Sequence, residues 1–165
     1  KCIVWEHNTH IGDARYTDMV DAGEFNLGQL MRQRHGRENV VLVGFSSNRG
    51  TVIAGREWDA PMEIMKLPPG RAGSWEAVFN RASSRDNLFI FSDAKNLNAL
   101  REVRGHRAVG VIYHPEYEHL GNYVPTIMPD RYDAMLYIDE TRALTPLRIN
   151  ALNEHEPADT YPSMF

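Results

Sequence analysis

The chain repeats one pattern along most of its length. A run of β-branched and aromatic residues stops at a polar cluster, and a helix-forming stretch leads to the next run. Residues 39–45 are the clearest such run, ending in Ser46-Ser47-Asn48-Arg49-Gly50. Residues 87–91 end in Ser92-Asp93, residues 107–113 in His114-Pro115-Glu116, and residues 132–138 in Asp139-Glu140-Thr141-Arg142. Among the connecting stretches, residues 26–35 place Leu27, Leu30 and Met31 on one face, with an Asn26 cap and a Gly36 stop. Residues 74–82 start on Ser74 and group Trp75, Val78 and Phe79. Leu97 and Leu100 anchor a short helix, and residues 122–129 read as irregular. Strands alternating with helices predict an α/β fold, a mainly parallel (mixed) sheet flanked by helices. Residues 50–67 depart from the alternation and are expected to add an antiparallel strand before Pro68-Pro69-Gly70.

The first run, residues 2–6, reads as a strand buried on both faces. It gives way to Glu6, His7, Asn8, His10, Asp13 and Arg15, the densest group of chemically active side chains in the chain. Such a cluster after a buried strand marks the carboxyl edge of a parallel sheet, where ligands collect. A neutral imidazole can take a proton from water near pH 7 and return it to a leaving group. His7 and His10 could divide that work, with Glu6 or Asp13 fixing a tautomer. A structural alternative has one histidine capping the following helix and the other hydrogen-bonded in the core. A metal alternative uses His-x-x-His as two zinc ligands, but the sequence has no H-E-x-x-H helix. His114, Glu116, His119, Asp139 and Glu140 end other strands and could line the same rim.

Other classes find little support. A net charge of -4 and a pI near 6.0 give no electrostatic reason to expect nucleic acid or an anionic membrane as partner. There is no G-x-S-x-G elbow, no G-x-G-x-x-G and no P-loop. The single cysteine, Cys2, has no internal partner and reads as a buried thiol. No apolar run approaches the ~20 residues that span a bilayer, so the expected location is cytoplasmic. The 165 residues divide into an α/β domain over 1–148 and a polar tail over 149–165.

The opening segment Trp5-Glu6-His7-Asn8-Thr9-His10, followed by Gly12-Asp13-Ala14-Arg15, resembles the W-[AE]-H-N-x-H…GDAR segment of the erythromycin esterase family. In the same order come Gly23-Glu24-Phe25-Asn26-Leu27-Gly28-Gln29-Leu30, Val41-Leu42-Val43-Gly44-Phe45, Gly110-Val111-Ile112-Tyr113, the stretch 137–144 and the closing Asp159-Thr160-Tyr161-Pro162. The resemblance implies hydrolysis of a carboxylic ester or macrocyclic lactone, without cofactor, metal or serine nucleophile. It implies that a histidine base with a neighbouring glutamate activates water, and that His7 and His10 complete the site by polarising the substrate carbonyl or steadying the water. Glu6, Asn8, Asp13 and Arg15 then bind substrate or orient this pair. In the family the base lies in an amino-terminal G-E-x-x-H segment, which this sequence lacks. The chain accordingly reads as the carboxyl-terminal portion of a larger catalytic domain. Its expected partners are a small ester or lactone and the missing amino-terminal part of the same protein. The same fold could instead carry a non-catalytic module that binds a small polar ligand.

Overall fold

The structure is a computed structural model and describes residues 1–145. The expected tail over 149–165, with its Asp159-Thr160-Tyr161-Pro162 motif, lies outside the described residues.

A mixed α/β arrangement is present. The main sheet has four strands in the order β2-β1-β6-β3: β1 is Val43–Ala54, β2 Glu63–Leu67, β3 Asn87–Ile90 and β6 Ala134–Thr141. β1 runs parallel to β6, while β2 and β3 are antiparallel additions at the two edges. Parallel pairing is therefore confined to one ladder of the sheet. A separate antiparallel pair joins β4 (Arg104–Arg107) to β5 (Tyr123–Thr126). The helices are α1 (Asn8–Ile11), α2 (Leu27–His35), α3 (Trp75–Ala82), α4 (Glu118–Gly121) and α5 (Met128–Arg131).

Both longer helices start where the sequence places their caps. The Asn26 side chain accepts from the Gln29 N–H at 3.0 Å, and Ser74 Oγ from the Ala77 N–H at 3.3 Å. α3 turns Trp75 and Phe79 onto one face of the sheet, where they meet Leu42, Phe91, Met128, Tyr132, Met135 and Tyr137. Fully burying a side chain of this size contributes roughly 1.5–3 kcal/mol, so this face holds most of the domain's core. The opposite face is different. Phe45, Leu136, Leu88 and Ile90 project there from three neighbouring strands and stay 36–50% exposed.

Several expected elements move. Residues 2–6 form no strand: Ile3 and Trp5 are 95% and 80% exposed, and Cys2 is exposed rather than buried. Trp5 instead leans on Phe45, with ring centroids 5.3 Å apart. The polar stretch 46–50 is not a loop but the middle of β1, because Ser46 and Asn48 point to the core face and find polar partners there. β1 exchanges neighbours at Gly50, which pairs with Thr141 on β6 and with Leu67 on β2. A Cβ at Gly50 would lie 2.0 Å from the Thr141 carbonyl oxygen, and its φ of +129° also excludes most side chains. The strand expected over 107–113 is earlier, at β4, and residues 122–129 supply β5 and the start of α5.

Candidate functional site

The His7–His10 segment folds as a single helical turn, α1, pinned on every side. Such a short helix has little stability of its own, so its position is set by tertiary bonds. Asn26 Nδ2 donates to the Thr9 and Gly12 carbonyls, both at 2.6 Å, satisfying groups that the end of the turn leaves bare. Tyr132 Oη donates to the Asn8 carbonyl at 3.0 Å, and the buried Arg131 guanidinium approaches the same oxygen at 3.4 Å. Gly28 lets α2 come close: a Cβ there would lie 1.9 Å from the Ile11 carbonyl oxygen.

Asn8 ties the turn to the sheet. Upstream of Gly50, β2 has not yet joined β1, and this edge of β1 is met by a side chain. Asn8 Oδ1 accepts from the Phe45 N–H at 3.0 Å, and Asn8 Nδ2 donates to the Phe45 carbonyl at 2.5 Å. Beneath it lies a buried pair. His106 Nδ1–H donates to Glu76 Oε1 at 2.8 Å, both side chains being almost wholly sealed from solvent, and Asn8 Nδ2 approaches His106 Nε2 at 3.4 Å. Burial pushes the Glu76 carboxyl up. The hydrogen bond from His106, with the backbone N–H groups of Glu76 and Arg107, outweighs burial and leaves it below the ordinary range.

The two motif histidines differ in what they leave free. His7 Nε2–H donates to the Val109 carbonyl at 2.9 Å, so Nδ1 is unprotonated and faces the Thr9 hydroxyl at 2.9 Å and the Thr9 N–H at 3.3 Å. Both ring nitrogens are engaged, and His7 is the N-cap of α1. Burial holds its pKa below the ordinary value; the Val109 bond opposes this, and the neighbouring imidazoles of His10 and His106 and the Arg131 charge add to it. His10, one turn on, is 63% exposed, with Nδ1 3.5 Å from Glu6 Oε2. Its Nε2 makes no hydrogen bond among the described residues. The two rings stand edge to face, 6.0 Å apart.

Beside this turn opens a cavity of about 570 Å³, in the range of small-molecule sites. Trp5, Phe45, Val52, Leu67, Val109 and Ile138 give it apolar walls; Glu6, His7, Asn8, Ser46, Ser47 and Arg107 supply polar groups. Arg107 is locked in place, donating to the Ser47, Asn48 and Pro68 carbonyls and to Glu118 Oε1.

His10, Asp13 and Arg15 sit outside the cavity lining. Asp13 is fully buried, taking a two-pronged bond from Arg15 at 2.9 and 2.7 Å and another from Arg32 at 3.3 Å. Arg32 continues to Asp133 at 2.8 Å, so these residues brace the loop behind α1. The other strand-end groups also turn elsewhere. Glu116 pairs with Arg56 at 2.8 Å, with His114 3.9 Å from it, and Asp139 and Glu140 pair with Arg49 at 3.5 and 3.3 Å. His119 presents its carbonyl to Arg71. No group of three or more metal-ligating side chains gathers among the described residues.

Glu76 and His106 have no signature in the sequence. Glu76 occupies the first turn of α3, where a glutamate ordinarily faces solvent and complements the helix dipole. Its sharing of a face with Phe79 is the one hint of burial.

The family model of erythromycin esterase matches residues 1–141. The chain belongs to the erythromycin esterase family. Two solved structures share the fold of this erythromycin esterase domain. One, described as a succinoglycan biosynthesis protein, is 17% identical with a TM-score of 0.67 over 84% of this chain and 33% of its own. The other, a protein from Bacillus cereus, is 17% identical with a TM-score of 0.70 over 85% of this chain and 33% of its own. The chain thus spans about a third of the length of these structures. No helix among the described residues is long and apolar enough to cross a membrane.

Proposed function

We propose that this family member is a cytoplasmic hydrolase that cleaves a carboxylic ester or macrocyclic lactone by histidine-assisted activation of water. The observation that carries this reading is His10: an accessible imidazole with an uncommitted Nε2 and a carboxylate, Glu6, beside its Nδ1. Glu6 favours the tautomer with a proton on Nδ1, leaving Nε2 as an acceptor for water; the protonated ring can donate to an ester oxygen. The cavity on the His7 and Asn8 side of the same turn, apolar on most of its wall and with His10 outside its lining, suits a largely hydrocarbon acyl or lactone ring. His7 holds the turn in this account, and Asn8 and Glu6 orient it, while Asp13 and Arg15 brace the loop from behind.

The base that takes the proton from the attacking water is assigned to the amino-terminal part of the same protein. Two observations support that partner: the chain spans a third of its solved neighbours, and an apolar sheet face with Phe45 and Leu136 at its centre is open. The non-catalytic binding reading draws on His7, whose two nitrogens are both engaged. The full-length protein, offered p-nitrophenyl acetate and a macrolide lactone, separates the two readings: turnover of either supports the hydrolase, and binding without turnover supports the module.

A further inference from the structure

We propose that Glu76 and His106 form a positioning pair that orients the Asn8 carboxamide and so holds the His7–His10 turn against the edge of β1. This rests on the hydrolase reading for its catalytic consequence but not for its geometry.

The hydrogen-bond pattern allows one arrangement. The Phe45 N–H can only donate, so the Asn8 atom that meets it is Oδ1, and Nδ2 must then face His106. An NH₂ group needs an acceptor, so His106 Nε2 is unprotonated and the ring proton sits on Nδ1. That proton points at Glu76 Oε1, an oxygen that also receives the Arg107 N–H at 3.0 Å and the Ser46 hydroxyl at 3.3 Å. Each link fixes the next: the ionised carboxylate sets the tautomer, the tautomer sets the amide, and the amide fastens α1 to β1. Turning the Asn8 amide over would set N–H against N–H and oxygen against oxygen at Phe45, at the cost of both bonds.

The pair lies beneath the turn, buried and outside the cavity lining. The groups that face His106 are Glu76 from α3, Asn8 from α1 and the edge-on Tyr132 ring at 5.9 Å, with Arg107 next in the chain. A second proton on His106 would aim an N–H at the Asn8 NH₂. The Asn8 bond therefore requires an unprotonated His106 Nε2.

The test uses imidazole ¹⁵N spectra and side-chain amide exchange on the full-length protein, with ester hydrolysis measured in parallel. Wild type should show His106 as the Nδ1–H tautomer at pH 7 and a slowly exchanging Asn8 carboxamide. H106F, which keeps a ring but no nitrogens, should speed exchange of the Asn8 amide by about tenfold or more while β6 amides keep their protection. It should lower kcat by about 10–100-fold with little change in KM, the signature of a misplaced group. E76Q, which keeps an acceptor oxygen in the same place, should retain most of both properties. An Nε2–H tautomer in wild type, or unchanged Asn8 exchange in H106F, overturns the inference whether or not the variants are fully stable. Absence of ester hydrolysis in wild type would sink the hydrolase reading alone, since the spectra still decide the positioning.

Discussion

The Asn8 side chain and the Phe45 backbone exchange two hydrogen bonds, at 2.5 and 3.0 Å, so an amide side chain serves as a one-residue strand on an unpaired edge. The His7–His10 turn is thereby docked to the sheet by the asparagine between its two histidines. Asn8→Ala removes both bonds and leaves the Phe45 N–H and carbonyl to water. The expected loss is about 1–3 kcal/mol of stability, read from urea denaturation, with faster exchange confined to α1 and the adjoining part of β1.

Gly28→Ala should be costly for a different reason. Its added methyl falls inside the Ile11 carbonyl, so α2 and α1 must separate. Overpacking of this kind costs roughly 1–3 kcal/mol or more, whereas alanine in an exposed helix position would have stabilised. A Gly28→Ala variant as stable as wild type in urea would show that the two helices are not in contact.

Asp13 carries a pH-dependent share of stability. Burial raises its pKa, but the bonds and charge of Arg15 with the bond from Arg32 overcome this, and the net shift is downward. The folded state thus binds its proton less readily than the unfolded state. The contribution is complete above the unfolded value of about 4 and is lost as pH falls through the lower folded value. Asp13→Asn should destabilise by about 1–3 kcal/mol at pH 7, because it replaces a fully buried carboxylate that accepts from Arg15 and Arg32 with an amide whose NH₂ faces their guanidinium groups. Its stability should also vary less with acid than that of wild type, as measured by denaturant titrations from pH 6 to pH 2.

His7 titrates with the same sign. Its pKa is depressed by burial, so the fold prefers the neutral ring. Its contribution is complete above the unfolded value near 6.5 and falls away as pH drops through the folded value. The protection factors of the α1 amides should therefore fall between pH 7 and pH 5 while those of β6 hold, and His7→Gln should flatten that dependence.

The elements the sequence makes legible are those decided locally. Asn26 and Ser74 cap the helices that begin on them, and the antiparallel strand within residues 50–67 is β2. What stayed hidden depends on distant partners. The run Ile3-Val4-Trp5 is apolar enough for a strand but has no ladder, and lies exposed beside Phe45. Ser46 and Asn48 read as a loop because their acceptors and donors, at Glu76, Asp139 and Gly70, lie 20 or more residues away. Glu76 and His106, 30 residues apart, take their meaning only from each other. Within the motif itself, spacing could not distinguish the histidine that caps the turn from the one that faces solvent.

On the proposed hydrolase reading, His10 rather than His7 presents a free imidazole nitrogen to the reacting ester. This central claim is tested most directly by kcat/KM of the full-length protein on p-nitrophenyl acetate for wild type and His10→Ala, with melting curves alongside. Because His10 is exposed, the variant should melt with wild type, yet lose about 100-fold or more in kcat/KM. Hydrolysis by His10→Ala at the wild-type rate would contradict the account.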